Sequence, residues 1–144
     1  MTVARQFAEA FNRRDLDSLV GCFTDDATYH DLFYGHFRGH DSLRKLFDRM
    51  FTDGRDHVWT IDAVAESPDV AMAEWTFEFV VSDAVPRSAG RRLRFRGVSV
   101  FELRDGRCGA YREYFDRGVA LVELGFEPDS LWRTLGRRPE TLPG

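Results

Sequence analysis

Two carboxylic acids stand out by the company they keep. Asp31 sits in "TYHDLFYG", two residues after Tyr29, and Glu113 sits in "AYREYFD", two residues after Tyr111. Residues i and i+2 of a β-strand share a face. If these stretches are strands, Tyr29 with Asp31 and Tyr111 with Glu113 and Phe115 project to the inside. An isolated charge removed from water is very costly, so each acid must be paired, hydrogen-bonded or protonated. An apolar wall raises a carboxyl pKa, and a neighbouring carboxylate raises one of the two further. Carboxyl groups are tuned toward neutral pH for proton transfer in this way. The chemistry indicated is general acid/base proton transfer, with Asp31 and Glu113 as the carboxyl groups and Tyr29 and Tyr111 beside them. A purely structural alternative has Asp31 capping the turn that follows it and Glu113 pairing with an arginine at the rim.

Other chemistries find little support. There is no GxSxG, no phosphate loop and no HExxH, and the four histidines fall on different elements. No metal and no organic cofactor is therefore expected. His30 alternates away from the inward face and His40 falls at a helix start, while His36 and His57 are within reach of a pocket mouth. Cys22 and Cys108 are isolated, as reduced thiols of an intracellular protein would be. A net charge of −4 argues against a nucleic-acid partner. The arginine stripe Arg92, Arg94, Arg96 does not alter this, because Glu74 and Glu78 face it across a predicted hairpin. No apolar run is long enough to span a bilayer or to form a signal peptide, and a cytoplasmic location is expected.

The elements that must position the acids follow from periodicity. Val3, Phe7, Ala10 and Phe11 recur at helical spacing over residues 2–13, and Asp15 is a natural N-cap for a short second helix. "TDDA" reads as a turn into a strand over residues 27–32, and "YGHFRGH" as a tight reversal. A third helix buries Leu43, Leu46, Phe47 and Met50, with Asp41 or Ser42 expected to cap it. After "TDGRD" the period changes to two, which predicts strands over 57–66, 70–81, 91–103 and 108–115. The segment "SDAVPRSAG" is the expected mobile loop. Short helices are expected near 117–124 and 130–135. One domain covers residues 1–136, and 137–144 read as a frayed tail. The expected architecture is α+β, with helices covering the concave face of a curved sheet. Thirteen Phe among 144 residues suit a core or cavity walled by rings. Trp75, Phe77, Phe79 and Phe95 share the inward face, and Gly97 and Ser99 leave room among them.

"FAEAFNRRDLDSLVGCFTDDATYHD", "GHFRGHDSLRKLF" and "GVSVFELRDGRCGAYREYFD" together resemble the nuclear-transport-factor-2-like superfamily. The resemblance is strongest to SnoaL-type polyketide cyclases, ketosteroid isomerases and limonene-epoxide hydrolases, and it runs from about residue 2 to 126. It implies a cone-shaped α+β fold with a deep pocket at the wide end, and a homodimer, with which the charged outer sheet face also agrees. In the steroid isomerases the general base corresponds to Asp31. Their oxyanion donors correspond to Phe7, which cannot donate, and to a position near Ser99. In the epoxide hydrolases the Tyr and Asn that hold water correspond to Tyr29 and Asp31, the second acid corresponds to Glu113, and the central Arg and Asp are replaced by Trp75 and Phe77. The cyclases resemble this chain in carrying their acid on the last strand, at or near Glu113. The resemblance thus implies a cofactor-free acid/base enzyme for a hydrophobic polyketide-, steroid- or terpenoid-like small molecule, performing aldol-type cyclisation or isomerisation. Phe7, His36, His57, Trp59, Trp75, Phe77, Phe95 and Ser99 are the expected substrate contacts. An epoxide hydrolase or dehydratase on the same scaffold, and a non-catalytic ligand-binding or dimerisation domain, are the alternatives.

Overall fold

The computed structural model describes residues 1–137, so the expected tail lies outside the described residues beyond Arg137. Helices α1 (Val3–Asn12), α2 (Leu16–Gly21) and α3 (His40–Asp53) precede most of the sheet. The strands are β1 (Phe23–Asp31), β2 (Gly35–Arg38), β3 (Gly54–Glu66), β4 (Val70–Val81), β5 (Arg92–Arg104) and β6 (Arg107–Phe115), and helices α4 (Arg117–Glu123) and α5 (Pro128–Gly136) follow. Side-chain caps start three of the helices: Thr2, Asp15 and Asp116 accept from the backbone N–H of Arg5, Ser18 and Val119.

The six strands form one mixed sheet in the order β2-β1-β6-β5-β4-β3. All neighbours are antiparallel except β1 and β6, which run parallel. That pairing is non-local and joins the two halves of the chain. Cross-strand Glu78–Arg94, Glu74–Arg96 and Glu102–Arg112 pairs occupy the outer face, as the alternation predicts.

Four local expectations are corrected. "TDDA" is not a turn but the irregular first half of β1, where the register with β6 shifts between Phe23 and Thr28. Asp25 and Asp26 stay exposed there while Ala27 is buried, so the bulge absorbs two acids without burying them. "YGHFRGH" holds a short strand, β2, paired with β1. Helix α3 has Gly39 at its N-cap and no side-chain cap, so neither Asp41 nor Ser42 caps it. β3 starts at Gly54 rather than His57, because a bulge with Asp56 at positive φ lets pairing to β4 begin earlier. The loop over 82–90 is a series of hydrogen-bonded turns, with Ser88 Oγ donating to the Leu124 carbonyl at 2.8 Å.

The core lies between α1–α3 and the inner sheet face. Phe7 is at its centre, fully buried, with the rings of Phe11, Phe23, Phe47, Trp59, Phe101 and Tyr111 at centroid distances of 4.8–6.4 Å.

Candidate active site

The parallel β1–β6 ladder pairs Tyr29 with Tyr111 and His30 with Arg112. One step further sets Asp31 beside Glu113, on strands about 4.8 Å apart. Both acids are inside the protein, 4% and 5% exposed. They lie at one end of a cavity of about 200 Å³ between the sheet and α3. Its walls are mostly rings, from Phe33, Trp59, Trp75, Phe77, Phe79, Phe95 and Phe115, and Val85 and Leu124 close the side toward α4.

Asp31 has the turn-capping contacts that the structural alternative gave it, and it also lines the cavity. Its Oδ1 accepts the backbone N–H groups of Phe33 at 2.7 Å and Tyr34 at 2.8 Å, which caps the turn into β2. Neither donor engages Oδ2, and the side chain lines the cavity. Burial pushes its pKa up to about 6, against the pull of the Tyr34 and Phe33 N–H bonds. Among the described residues no arginine pairs with Glu113. Its Oε1 accepts the Tyr111 hydroxyl at 2.8 Å and its Oε2 the Leu32 N–H at 3.4 Å. Burial first, and then the Asp31 charge, hold its carboxyl well above the usual range. Two adjacent buried carboxyls cannot both ionise cheaply. Burial and mutual repulsion thus favour a single charge on the pair, with Glu113 the harder of the two to ionise.

Behind Glu113 runs a chain of buried polar groups. Trp75 Nε1 donates to Ser99 Oγ at 2.7 Å, and Ser99 Oγ lies 2.7 Å from Tyr111 Oη. Tyr29 stacks on Tyr111 with ring centroids 4.0 Å apart. Its buried hydroxyl closes no hydrogen bond within the described residues. Burial, followed by the Glu113 and Asp31 charges, keeps that phenol neutral.

Of the expected substrate contacts, His57, Trp59, Trp75, Phe77 and Phe95 line the cavity together with Asp31 and Glu113. Phe7, Ser99 and His36 do not, and neither do Tyr29 and Tyr111, the tyrosines expected to join the acids in catalysis. Phe7 is a core ring, and Ser99, Tyr29 and Tyr111 form a layer behind the acids. His36 sits on β2, where its ring stacks on His30 at 3.8 Å. The room beside Gly97 is occupied by the Trp75 indole and is not part of the cavity: a Cβ there would lie 2.6 Å from Trp75 Cζ2 and Cη2. His57 is a neutral wall group, stacked near Phe77 and Phe79, and burial, with Arg14 nearby, lowers its pKa to about 4.

Sequence reasoning missed Tyr34 and Asp53. Both line the cavity, and the Tyr34 hydroxyl donates to Asp53 Oδ2 at 2.9 Å. Arg49 joins them, at 3.5 Å from Asp53 and with its guanidinium over the Tyr34 ring. Tyr34 follows β1 and Asp53 ends α3, so no strand or helix period connects them. Among the described residues no group of three His, Cys, Asp or Glu converges to hold a metal ion, and no helix is long and apolar enough to cross a membrane.

Helices over a bent mixed sheet, with an acid pair at one end of an apolar cavity, define a pocket-bearing α+β cone. Residues 4–111 match the model of the SnoaL-like domain, and the chain belongs to that family. The fold is shared with solved structures at low identity. A Catenulispora acidiphila protein with a ketosteroid isomerase-like fold, in complex with trimethylamine, has a TM-score of 0.77 at 16% identity, covering 90% of this chain and 98% of its own. An epoxide hydrolase of limonene-epoxide hydrolase type from Mycobacterium tuberculosis has a TM-score of 0.70 at 22% identity, covering 93% and 92%. A proposed polyketide cyclase from Streptomyces antibioticus has a TM-score of 0.71 at 20% identity, covering 86% and 96%.

Proposed function

We propose that the protein is a cofactor-free acid/base enzyme for a small hydrophobic carbonyl compound, catalysing isomerisation or aldol-type cyclisation. The observation that carries this is the Asp31–Glu113 pair, two neighbouring buried carboxyls in a ring-walled cavity, of which Glu113 is the harder to ionise. Asp31 Oδ2 removes a proton from the carbon next to the substrate carbonyl. Glu113 donates its proton to the carbonyl oxygen, and an enol results. Isomerisation follows when the enol is reprotonated at another carbon by Asp31 and Glu113 takes back the enol proton. Cyclisation follows when the enol carbon attacks a second carbonyl, Glu113 taking back the enol proton while Asp31 gives the proton it removed to the new alkoxide oxygen. The buried tyrosines and Ser99 support the acids from behind, and the rings of Trp59, Trp75, Phe77 and Phe95 contact the substrate skeleton.

Cavity size points to the small end of the expected range. Drug-sized ligands occupy about 300–1,000 Å³, while an apolar cavity of about 150 Å³ accepts benzene. About 200 Å³ favours a one- or two-ring compound, terpenoid-sized rather than a four-ring steroid. The protein is further proposed to act as a homodimer through the outer sheet face, where Met72, Val98 and Tyr114 are exposed among the Glu–Arg pairs; sedimentation equilibrium checks the mass.

The test is enzyme-dependent deuterium exchange from heavy water into one- and two-ring ketones and enones, followed by mass spectrometry. Asp31→Asn is expected to slow exchange by about 10²–10⁴-fold, the usual worth of a positioned base. Exchange as fast in the variant as in the parent would remove Asp31 from the mechanism. A parallel incubation of small epoxides in heavy-oxygen water separates the alternatives: label in a diol product moves the reaction to hydrolysis.

A further inference from the structure

The chain of groups behind Glu113 has one direction in which every buried proton finds an acceptor. An indole N–H donates and cannot accept, so Ser99 Oγ must accept from Trp75 at 2.7 Å. Ser99 is 1% exposed, and Tyr111 Oη, at 2.7 Å, is the acceptor that the described residues provide for its single proton. Tyr111, having accepted from Ser99, sends its own proton to Glu113 Oε1 at 2.8 Å. Oε1 is thus an acceptor whichever way Glu113 is ionised. From this geometry we infer that Trp75 and Ser99 are positioning residues, a one-way relay that keeps Oε1 of Glu113 an acceptor and confines its acid proton to Oε2.

The relay crosses three strands and relies on their register. Trp75 on β4 pairs with Gly97 on β5, and Ser99 on β5 pairs with Glu113 on β6. Without a side chain at Gly97 the indole lies over the β5 backbone and its Nε1 reaches Ser99, two residues along the same face. Among the described residues Oε2, by contrast, meets only the Leu32 N–H, at 3.4 Å. A proton confined there can be delivered to a bound substrate and recovered; retreat into the wall would turn the Tyr111 hydroxyl toward Ser99 Oγ and leave the buried Ser99 proton without an acceptor among the described residues. A polarised chain also strengthens its last donor, so the relay favours the Glu113 anion against burial and the Asp31 charge. The other titratable groups facing Glu113 are Asp31 and Tyr29 on β1 and Tyr111 on β6; Tyr34, Asp53 and His57 share the cavity.

The inference rests on Glu113 as the acid of the proposed reaction only for its effect on turnover. Its direct test is the titration of the Glu113 carboxyl, followed by infrared spectroscopy with carbon-13 glutamate and assigned by loss of the band in Glu113→Gln. An Asp31→Asn background removes the neighbouring charge and lowers the titration into a convenient range. Ser99→Ala and Trp75→Phe should each raise the midpoint, by about three- to tenfold in proton affinity, the worth of one net hydrogen bond. Ser99→Thr, which keeps the hydroxyl, should restore it. With Asp31 intact, the alkaline limb of the rate profile should move up in step. Trp75→Phe retains the ring and serves if Ser99→Ala does not fold. An unmoved midpoint in a folded variant overturns the relay. A midpoint that moves without the alkaline limb leaves the relay standing and removes Glu113 from the reaction.

Discussion

Asp31→Asn should make the protein more stable while slowing it. The Asp31 carboxyl titrates at about 6 in the fold against an ordinary 3.8, chiefly through burial. Its folded-state pKa is raised, so the native state binds this proton more tightly than the unfolded chain does. The contribution is fully favourable below about pH 4, declines between about pH 4 and 6, and is lost above. At 1.36 kcal/mol per pH unit, keeping this carboxylate ionised costs the fold about 3 kcal/mol at pH 7.5. Asparagine is uncharged, and its Oδ1 can still accept the Phe33 and Tyr34 N–H groups that hold the turn. Its amide N–H needs a partner that the carboxylate did not, which takes back part of the gain. The expected net effect is about 1–2 kcal/mol of stabilisation at pH 7.5, a rise of about 3–5 °C in Tm per kcal/mol. Near pH 4, where the charge cost is gone, only the amide penalty should be left and the variant should be the less stable by about 1–2 kcal/mol. The assay is urea denaturation of parent and variant from pH 4 to pH 8. A variant less stable at pH 7.5, or a gain equal at both ends of the range, would falsify the assignment of Asp31 as a destabilising buried anion. The alanine variant should behave in the opposite way, because it leaves two turn N–H groups without their acceptor.

The rate profile should be bell-shaped, with an acid limb near pH 6 as Asp31 takes up its proton and an alkaline limb where Glu113 loses its own. The residual activity of Glu113→Gln should keep the first limb and lack the second, as rates from pH 5 to 10 would reveal. Gly97→Ala should cost about 1–3 kcal/mol, because its Cβ would come within 2.6 Å of Trp75 and 2.8 Å of the Tyr114 carbonyl. Alanine in a strand is ordinarily better than glycine, so an unchanged or higher urea midpoint would show that the indole does not need this space.

Alternation alone brought both acids, Trp75, Phe77 and Phe95 to the inner face and the Glu–Arg pairs to the outer one, because strand side chains repeat every two residues wherever the partners lie. The helical period located α1 and the buried face of α3, and the capping residue Asp15 located α2. These are local properties of consecutive residues, and the sequence determines them unaided. Periodicity says that a side chain points inward; it cannot say whether that side chain meets empty space or another side chain. Phe7, Ser99, Tyr29 and Tyr111 all point inward and all are packed behind the cavity, and the room beside Gly97 is filled by an indole. His36 was misread because β2, four residues between glycines, is too short to display a period. Tertiary structure decided the rest. The parallel pairing of β1 with β6 brings Asp31 beside Glu113, and α3 carries Asp53 to Tyr34. The register of β4, β5 and β6 lines up Trp75, Ser99 and Tyr111. Adjacency between distant segments depends on how whole elements pack, and no stretch of consecutive residues encodes it.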